Sequence, residues 1–174
     1  MPLFSFEGKS PRVDPTAFVA ATAVLIGDVT VEANASVWYN AVLRGDFGPI
    51  VVRRGANVQD GAVVHVTPVH AVEIGAGATV GHTCVVHGAT LGEEALVGNS
   101  ATVLDGARVG ARAMIAAGAL VTPGTDIPDG MLALGVPAKV KGPLAGTPAE
   151  RWVRANPSGY QALAQRHKAG VAPA

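Results

Sequence analysis

The stretch Leu91-Gly92-Glu93-Glu94-Ala95-Leu96-Val97-Gly98-Asn99-Ser100-Ala101-Thr102-Val103 decides the fold. An aliphatic residue returns at every sixth position, and a small residue stands two places before each return. The step runs on through Val109, Ile115 and Val121. Backwards, after one dropped residue, it passes Val86, Val80 and Ile74. A four-residue insertion at 67–70 separates these from Val64, Val58 and Val52. A three-residue insertion around 47–50 separates those from Leu43, Val37, Val31, Leu25, Val19 and Val13. Ala23, Ala35, Ala41, Ala56, Ala62, Ala78, Cys84, Ala95, Ala101, Ala107, Ala113 and Ala119 hold the small column, and Phe47 is its main exception.

A period of six over this length is neither helical nor simple strand alternation. It is the pattern of a parallel β-helix, in which each hexad is one short strand plus a corner and three hexads close a triangular coil. The aliphatic fills the interior and the small residue lets the chain turn. Glycine follows many of the aliphatics (Gly27, Gly75, Gly81, Gly92, Gly98, Gly110), which suits corners that need positive φ. The solenoid is expected to end after Val121, where Pro123, Gly124, Pro128 and Gly130 break the pattern. Leu134-Gly135-Val136-Pro137-Ala138 reads as a closing strand. Thr147-Pro148-Ala149-Glu150 reads as a capped helix start, with Trp152 and Val153 facing the solenoid. Asn156-Pro157-Ser158-Gly159 is expected to interrupt that helix before it resumes through Tyr160, Leu163 and His167. The organisation is thus a β-helix domain over residues 1–143, then a packed helix and a disordered tail over 144–174, the tail starting at Gly170.

Composition agrees with a narrow core. Of 174 residues 49% are hydrophobic but only 5% aromatic, so Ala, Val and Gly supply the apolar mass. Thirteen basic residues balance thirteen acidic ones, which argues against nucleic acid and anionic membranes as partners. No apolar run approaches the ~20 residues of a membrane span. Residues 1–8 lack the basic start and apolar run of a signal peptide, so the expected location is cytoplasmic. Cys84 is alone, which excludes an internal disulfide, and it falls in the small inward slot as core filler.

The register places the histidines. Hexads starting at Leu43, Val64 and Val86 share one face, A, and those starting at Val58 and Val80 share another, C. Arg44, His65 and His87 then stack in one outward slot on successive turns, about 4.8 Å apart. Two imidazoles so placed can bind one ion, because Zn–N bonds are about 2.0–2.1 Å. His82 lies on face C, one slot later, and reaches that column only in a neighbouring chain. The spacing therefore predicts a homotrimer with metal sites shared at its interfaces. Gln59 and Asp60 lie one rung below His82, with Asn57 just before them. His70, in the inserted loop, and His167, on the helix, read as solvated.

Several segments resemble the γ-class carbonic anhydrases: Ser36-Val37-Trp38-Tyr39-Asn40-Ala41-Val42-Leu43-Arg44-Gly45-Asp46, Gly55-Ala56-Asn57-Val58-Gln59-Asp60, His65, Val80-Gly81-His82 through His87-Gly88, and Val103-Leu104-Asp105-Gly106-Ala107. The resemblance spans nearly the whole chain. It implies a left-handed turn and a trimer carrying zinc, or iron or cobalt, on His65 and His87 of one subunit and His82 of the next. Asn57 and Gln59 resemble the residues that hydrogen-bond the metal-bound water, and Arg44, Asp46 and Asp60 an ion-pair network at the interface. Tyr160 resembles a C-terminal tyrosine near the metal in shorter members. The prototype's shuttle glutamates are missing: Phe47 stands beside Arg-Gly-Asp, and the loop after His65 is short. Proton export then falls to buffer, Tyr160 or His70.

The implied reaction is attack of metal-bound hydroxide on CO₂ to give bicarbonate. Three other readings share the scaffold. One is thioester or ester hydrolysis, as proposed for relatives tied to phenylacetate catabolism. The others are a metal-free hexapeptide acyltransferase and a non-catalytic assembly subunit.

Overall fold

A computed structural model describes residues 2–172. The chain winds as a left-handed parallel β-helix of about seven turns and ends in one α-helix, α1, at Pro148–Gly170. The hexad slots explain the coil. Leu25, Val37, Leu43, Val52, Val58, Val64, Ile74, Val80, Val86, Val97, Val103, Ile115 and Val121 are all wholly buried. They stack rung over rung in one continuous core. Each such side chain removed from water stabilises the coil by about 1.5–3 kcal/mol. Cys84 is buried among them, and burial pushes its thiol up to about 11.

Face A and the third face, B, which carries Ile50–Val52, Val72–Ile74 and Thr90–Leu91, form one sheet because the long strand Val42–Val52 runs round the corner between them. Face C is a second sheet, on which α1 lies. The first insertion is a bulge in that long strand: Gly45 pairs with Gly27, but Val29 pairs with Ile50. Ile50 is therefore core, and residues 46–49 stand opposite Asp28 alone, which swings Asp46 and Phe47 outward from face A.

The solenoid continues past Val121, contrary to the expectation from its prolines and glycines. Asp126–Ile127 pairs in parallel with Arg108–Val109, and Leu132 with Met114. Pro123, Gly124, Pro128 and Gly130 fall in the corner slots, where a missing N–H or a positive φ costs nothing. Gly124 and Gly130 have φ of 66° and 65°. The closing segment is a hairpin: Met131–Gly135 pairs antiparallel with Ala138–Pro143, and Val136 and Pro137 form its turn.

Helix α1 starts where its sequence signals place it. The Thr147 hydroxyl accepts from the Glu150 N–H at 3.3 Å, and the Glu150 carboxylate accepts from Gly146 N–H at 2.8 Å. Two expectations fail. The helix runs unbroken through Pro157, whose buried ring packs beside Gly77. That packing outweighs the lost backbone bond. Trp152 is 66% exposed while Val153 is buried, because neighbours on a helix point about 100° apart and cannot both face one wall. Val153, Pro157 and Ala164 form the buried stripe. Of the expected disordered tail, Gly170 is helical, Val171 caps the helix, and Pro173 and Ala174 lie outside the described residues. Among the described residues no helix is long and apolar enough to cross a membrane.

Candidate metal centre

Face A brings one group together. Arg44, His65 and His87 are in direct register on adjacent strands. The ring nitrogens His65 Nδ1 and His87 Nε2 are 2.9 Å apart. Each ring rests its other nitrogen on a carboxylate. His65 Nε2 is 2.9 Å from Asp46 Oδ1, and His87 Nδ1 is 2.5 Å from Asp105 Oδ1. Arg44 pairs with the other oxygen of Asp46. Burial alone would raise the Asp46 carboxyl, but the bonds from His65 and Arg44 hold it below the usual carboxylate range. Phe47, 61% exposed, sets its ring 6.2 Å from that of His65.

A second group forms where face C turns into face A. His82 sits at that corner, with Nδ1 2.9 Å from Asp60 Oδ2 and Nε2 3.4 Å from the Tyr160 hydroxyl. Partial burial and the nearby Asp60 charge push the Tyr160 phenol up. Asn57 and Gln59, both buried, join behind it: Gln59 Nε2 donates to Asn57 Oδ1 at 2.9 Å. Gln59, Thr79, His82, Met114, Trp152 and Tyr160 line a cleft of about 320 Å³ between face C and α1. A shallower groove of about 780 Å³ past Arg12, Glu32, Arg53 and Arg54 holds no histidine.

The donors suit a divalent cation such as zinc. All three imidazoles have one nitrogen against an aspartate, the arrangement that fixes the tautomer and frees the other nitrogen's lone pair for a metal. Two ligands on one tetrahedral ion stand about 3.3 Å apart, given bonds of about 2.0–2.1 Å. The His65–His87 pair, at 2.9 Å, reaches that with a few tenths of an ångström of opening. Of the three imidazoles, these two are the pair that meet within a single chain. Among the described residues of one chain, no three His, Cys, Asp or Glu side chains converge on a common point.

Sequence reasoning missed Asp105 as a site residue. The signal was Gly88: with no side chain there, Asp105 leans down from the next rung to reach His87. A Cβ on Gly88 would lie 2.7 Å from Asp105 Oδ1. Asp105→Ala is expected to weaken zinc binding about 10–100-fold, measured by competition with a chromophoric chelator. Unchanged affinity would remove Asp105 from the site. His167 was also misplaced. Its Nδ1 lies 3.1 Å from the Tyr39 hydroxyl, and its ring packs 4.9 Å from Trp38 and 5.8 Å from Phe18. His70 is exposed, beside Gly88 and Gly106.

No family model matches the chain. It is 41% identical over 173 residues to gamma carbonic anhydrase 1, mitochondrial, of Arabidopsis thaliana, covering 96% of this chain and 62% of that protein. It is 46% identical over 143 residues to gamma carbonic anhydrase 2 of the same plant, covering 79% of this chain and 51% of that protein. The chain thus spans between half and two thirds of the length of these plant relatives. The carnitine operon protein CaiE of Escherichia coli K12 is 38% identical over 166 residues, with 95% and 84% of the two chains covered. Among solved structures, a hexapeptide transferase family protein from Anaplasma phagocytophilum superposes with a TM-score of 0.90 at 40% identity, covering 94% of this chain and 96% of that one. A putative acetyltransferase from Bacillus cereus gives 0.91 at 34% identity, covering 96% of both.

Proposed function

This chain belongs to the family of γ-class carbonic anhydrases and CaiE proteins, and from that premise we propose that it is a metal-dependent hydratase converting CO₂ and water to bicarbonate and a proton. One observation carries the reading: three imidazoles each lean on an aspartate, and two of them, His65 and His87, meet at 2.9 Å.

The working unit is a homotrimer in which His82 of one chain completes the His65–His87 pair of its neighbour. Two features support that arrangement. His82 stands at a corner of the coil, away from the pair in its own chain. Beside the histidine column, face A exposes Phe47 and Val63, which is apolar surface suited to an interface. Zinc is the metal proposed, and iron(II) or cobalt(II) suits the same nitrogens. The ion supplies Lewis acidity that makes a bound water ionise near neutral pH. The protein does the rest. Asp46, Asp60 and Asp105 fix the imidazole tautomers, and Arg44 keeps Asp46 ionised. Gln59 orients the reacting water with its carboxamide, and Asn57, buried behind it, holds that group in place. Tyr160, protonated, donates a hydrogen bond at the cleft mouth, and Leu96 and Met114 offer apolar wall to the gas. A cytoplasmic location is part of the proposal; the plant relatives named above are mitochondrial by name.

Stopped-flow CO₂ hydration on zinc- and iron-loaded protein tests the reading. Turnover well above buffer, abolished by chelation, is expected. Buffer-level rates in both forms, with metal content confirmed, overturn it. Likeness to the Anaplasma hexapeptide transferase family protein and the Bacillus acetyltransferase favours acyl transfer as the second reading. Acetyl-CoA consumption that survives chelation would select it. Metal-dependent hydrolysis of an acyl-CoA panel would instead select the thioesterase reading.

A further inference from the structure

The buried polar side chains among the described residues are Ser36, Asn57, Gln59 and Thr79, and all lie on face C. Ser36, Asn57 and Thr79 occupy one slot on three successive rungs, directly under α1. Phe18 fills that slot on the rung below and Leu96 on the rung above. Apolar residues thus serve the same packing on either side. An unpaired polar group here would cost about 1–3 kcal/mol, yet none of these buried atoms lacks a partner.

The partners form a chain of bonds that starts on the helix. Asn156 Nδ2 of α1 donates to Thr79 Oγ1 at 2.7 Å, and Asn57 Nδ2 donates to the same oxygen at 2.9 Å. Asn57 Oδ1 then accepts from Gln59 Nε2 at 2.9 Å. With its nitrogen held inward, Gln59 leaves its carbonyl oxygen to the cleft, where Asn156 and Tyr160 are also lining residues.

We propose that Asn156 and Thr79 are positioning residues, which lock the carboxamide of Gln59 so that its carbonyl faces the reaction site as an acceptor. The C-terminal helix is thereby part of the site's alignment as well as a cover for the solenoid. A carboxamide free to flip by 180° would present an acceptor only part of the time. The anchored chain removes that freedom before substrate arrives. This rests on the reading of Gln59 as a site residue.

The test uses the full chain in its native assembly and has one readout that needs neither metal nor turnover. The side-chain amide signals of Gln59, assigned by their loss in Gln59→Glu, are followed by ¹H–¹⁵N NMR. In wild type and Thr79→Ser the pair is expected to be dispersed and slow to exchange. In Thr79→Val and in Asn156→Ala it should move toward free-amide values and exchange about tenfold faster or more. Asn156→Ala acts from the helix side, so it serves where Thr79→Val fails to fold. In CO₂ hydration both variants should lower kcat about tenfold, with KM and metal content held and Thr79→Ser restoring the rate. In a Gln59→Ala background, Thr79→Val should add no further loss. Unmoved Gln59 signals in both variants, or losses that simply add, overturn the proposal. If no form of the protein hydrates CO₂, the functional reading fails, and the amide signals still decide this one.

Discussion

Mixed trimers of two inactive variants, His82→Ala and His87→Ala, should regain zinc and turnover at about a quarter of their sites. Each variant alone should lose more than about 100-fold in activity, since even removing a hydrogen bond to a ligand costs 10–100-fold. Rescue follows from where the ligands stand. His65 and His87 lie side by side on one face, while His82 sits at a corner against Asp60 and Tyr160. A shared site needs an intact pair from one chain and an intact corner from the next. With random assembly from equal amounts, the ordered combination arises at about one interface in four. A second mixture, His65→Ala with His87→Ala, must stay dead, because both rings have to come from the same column. Co-expression with two affinity tags, then metal analysis and stopped-flow assay, gives both numbers. No recovery in the first mixture, or recovery in the second, would remove the shared-site reading.

The column itself was legible because an interior slot is chemically strict. From Val13 to Ile127 only Val, Leu or Ile fills it, so counting by six assigns every outward slot as well. Register from sequence alone put Arg44, His65 and His87 in line, and the strands pair them so. Side-chain reach was not legible. Asp105 bonds His87 only because Gly88 leaves a gap on the rung below it, and Thr79 matters only beside a helix whose Asn156 meets it. Proline was over-read twice. At 123 and 128 it occupies corners the coil already has, and at 157 its ring is buried enough to offset a lost bond. His167 was read as solvated because its partners Phe18, Trp38 and Tyr39 are more than 120 residues away in sequence, on two rungs that α1 happens to cover.

Glycine shows the same limit, and its correction yields a large expected effect. Gly92→Ala should destabilise the protein by about 3 kcal/mol, and Gly118→Ala by only about 1 kcal/mol. The sequence suggested that glycines after the aliphatics serve positive φ. Yet Gly75, Gly81, Gly92, Gly98 and Gly110 do not have it. At these positions the next rung presses against the Cα: a Cβ on Gly92 would sit 2.6 Å from the Ala111 nitrogen and 2.8 Å from the Gly110 carbonyl carbon. Backbone cannot step aside as a flexible side chain does. Positive φ falls two residues later, where Glu94, Ser100 and Arg112 adopt it with φ of 54°, 59° and 53°. Gly118 shares that slot, at 68°, and nothing lies within 4 Å of an added Cβ there. The comparison is made by urea unfolding at fixed protein concentration, because subunit association contributes to the measured stability. A larger loss in Gly118→Ala than in Gly92→Ala would mean that turning, and not the close approach of rungs, is what this coil requires of glycine. Gly88 carries both demands, with φ of 54° and Asp105 Oδ1 at 2.7 Å from a built Cβ. Substitution there should therefore disturb the His87–Asp105 bond as well as the fold, which links the spacing of the coil to the tautomer of His87.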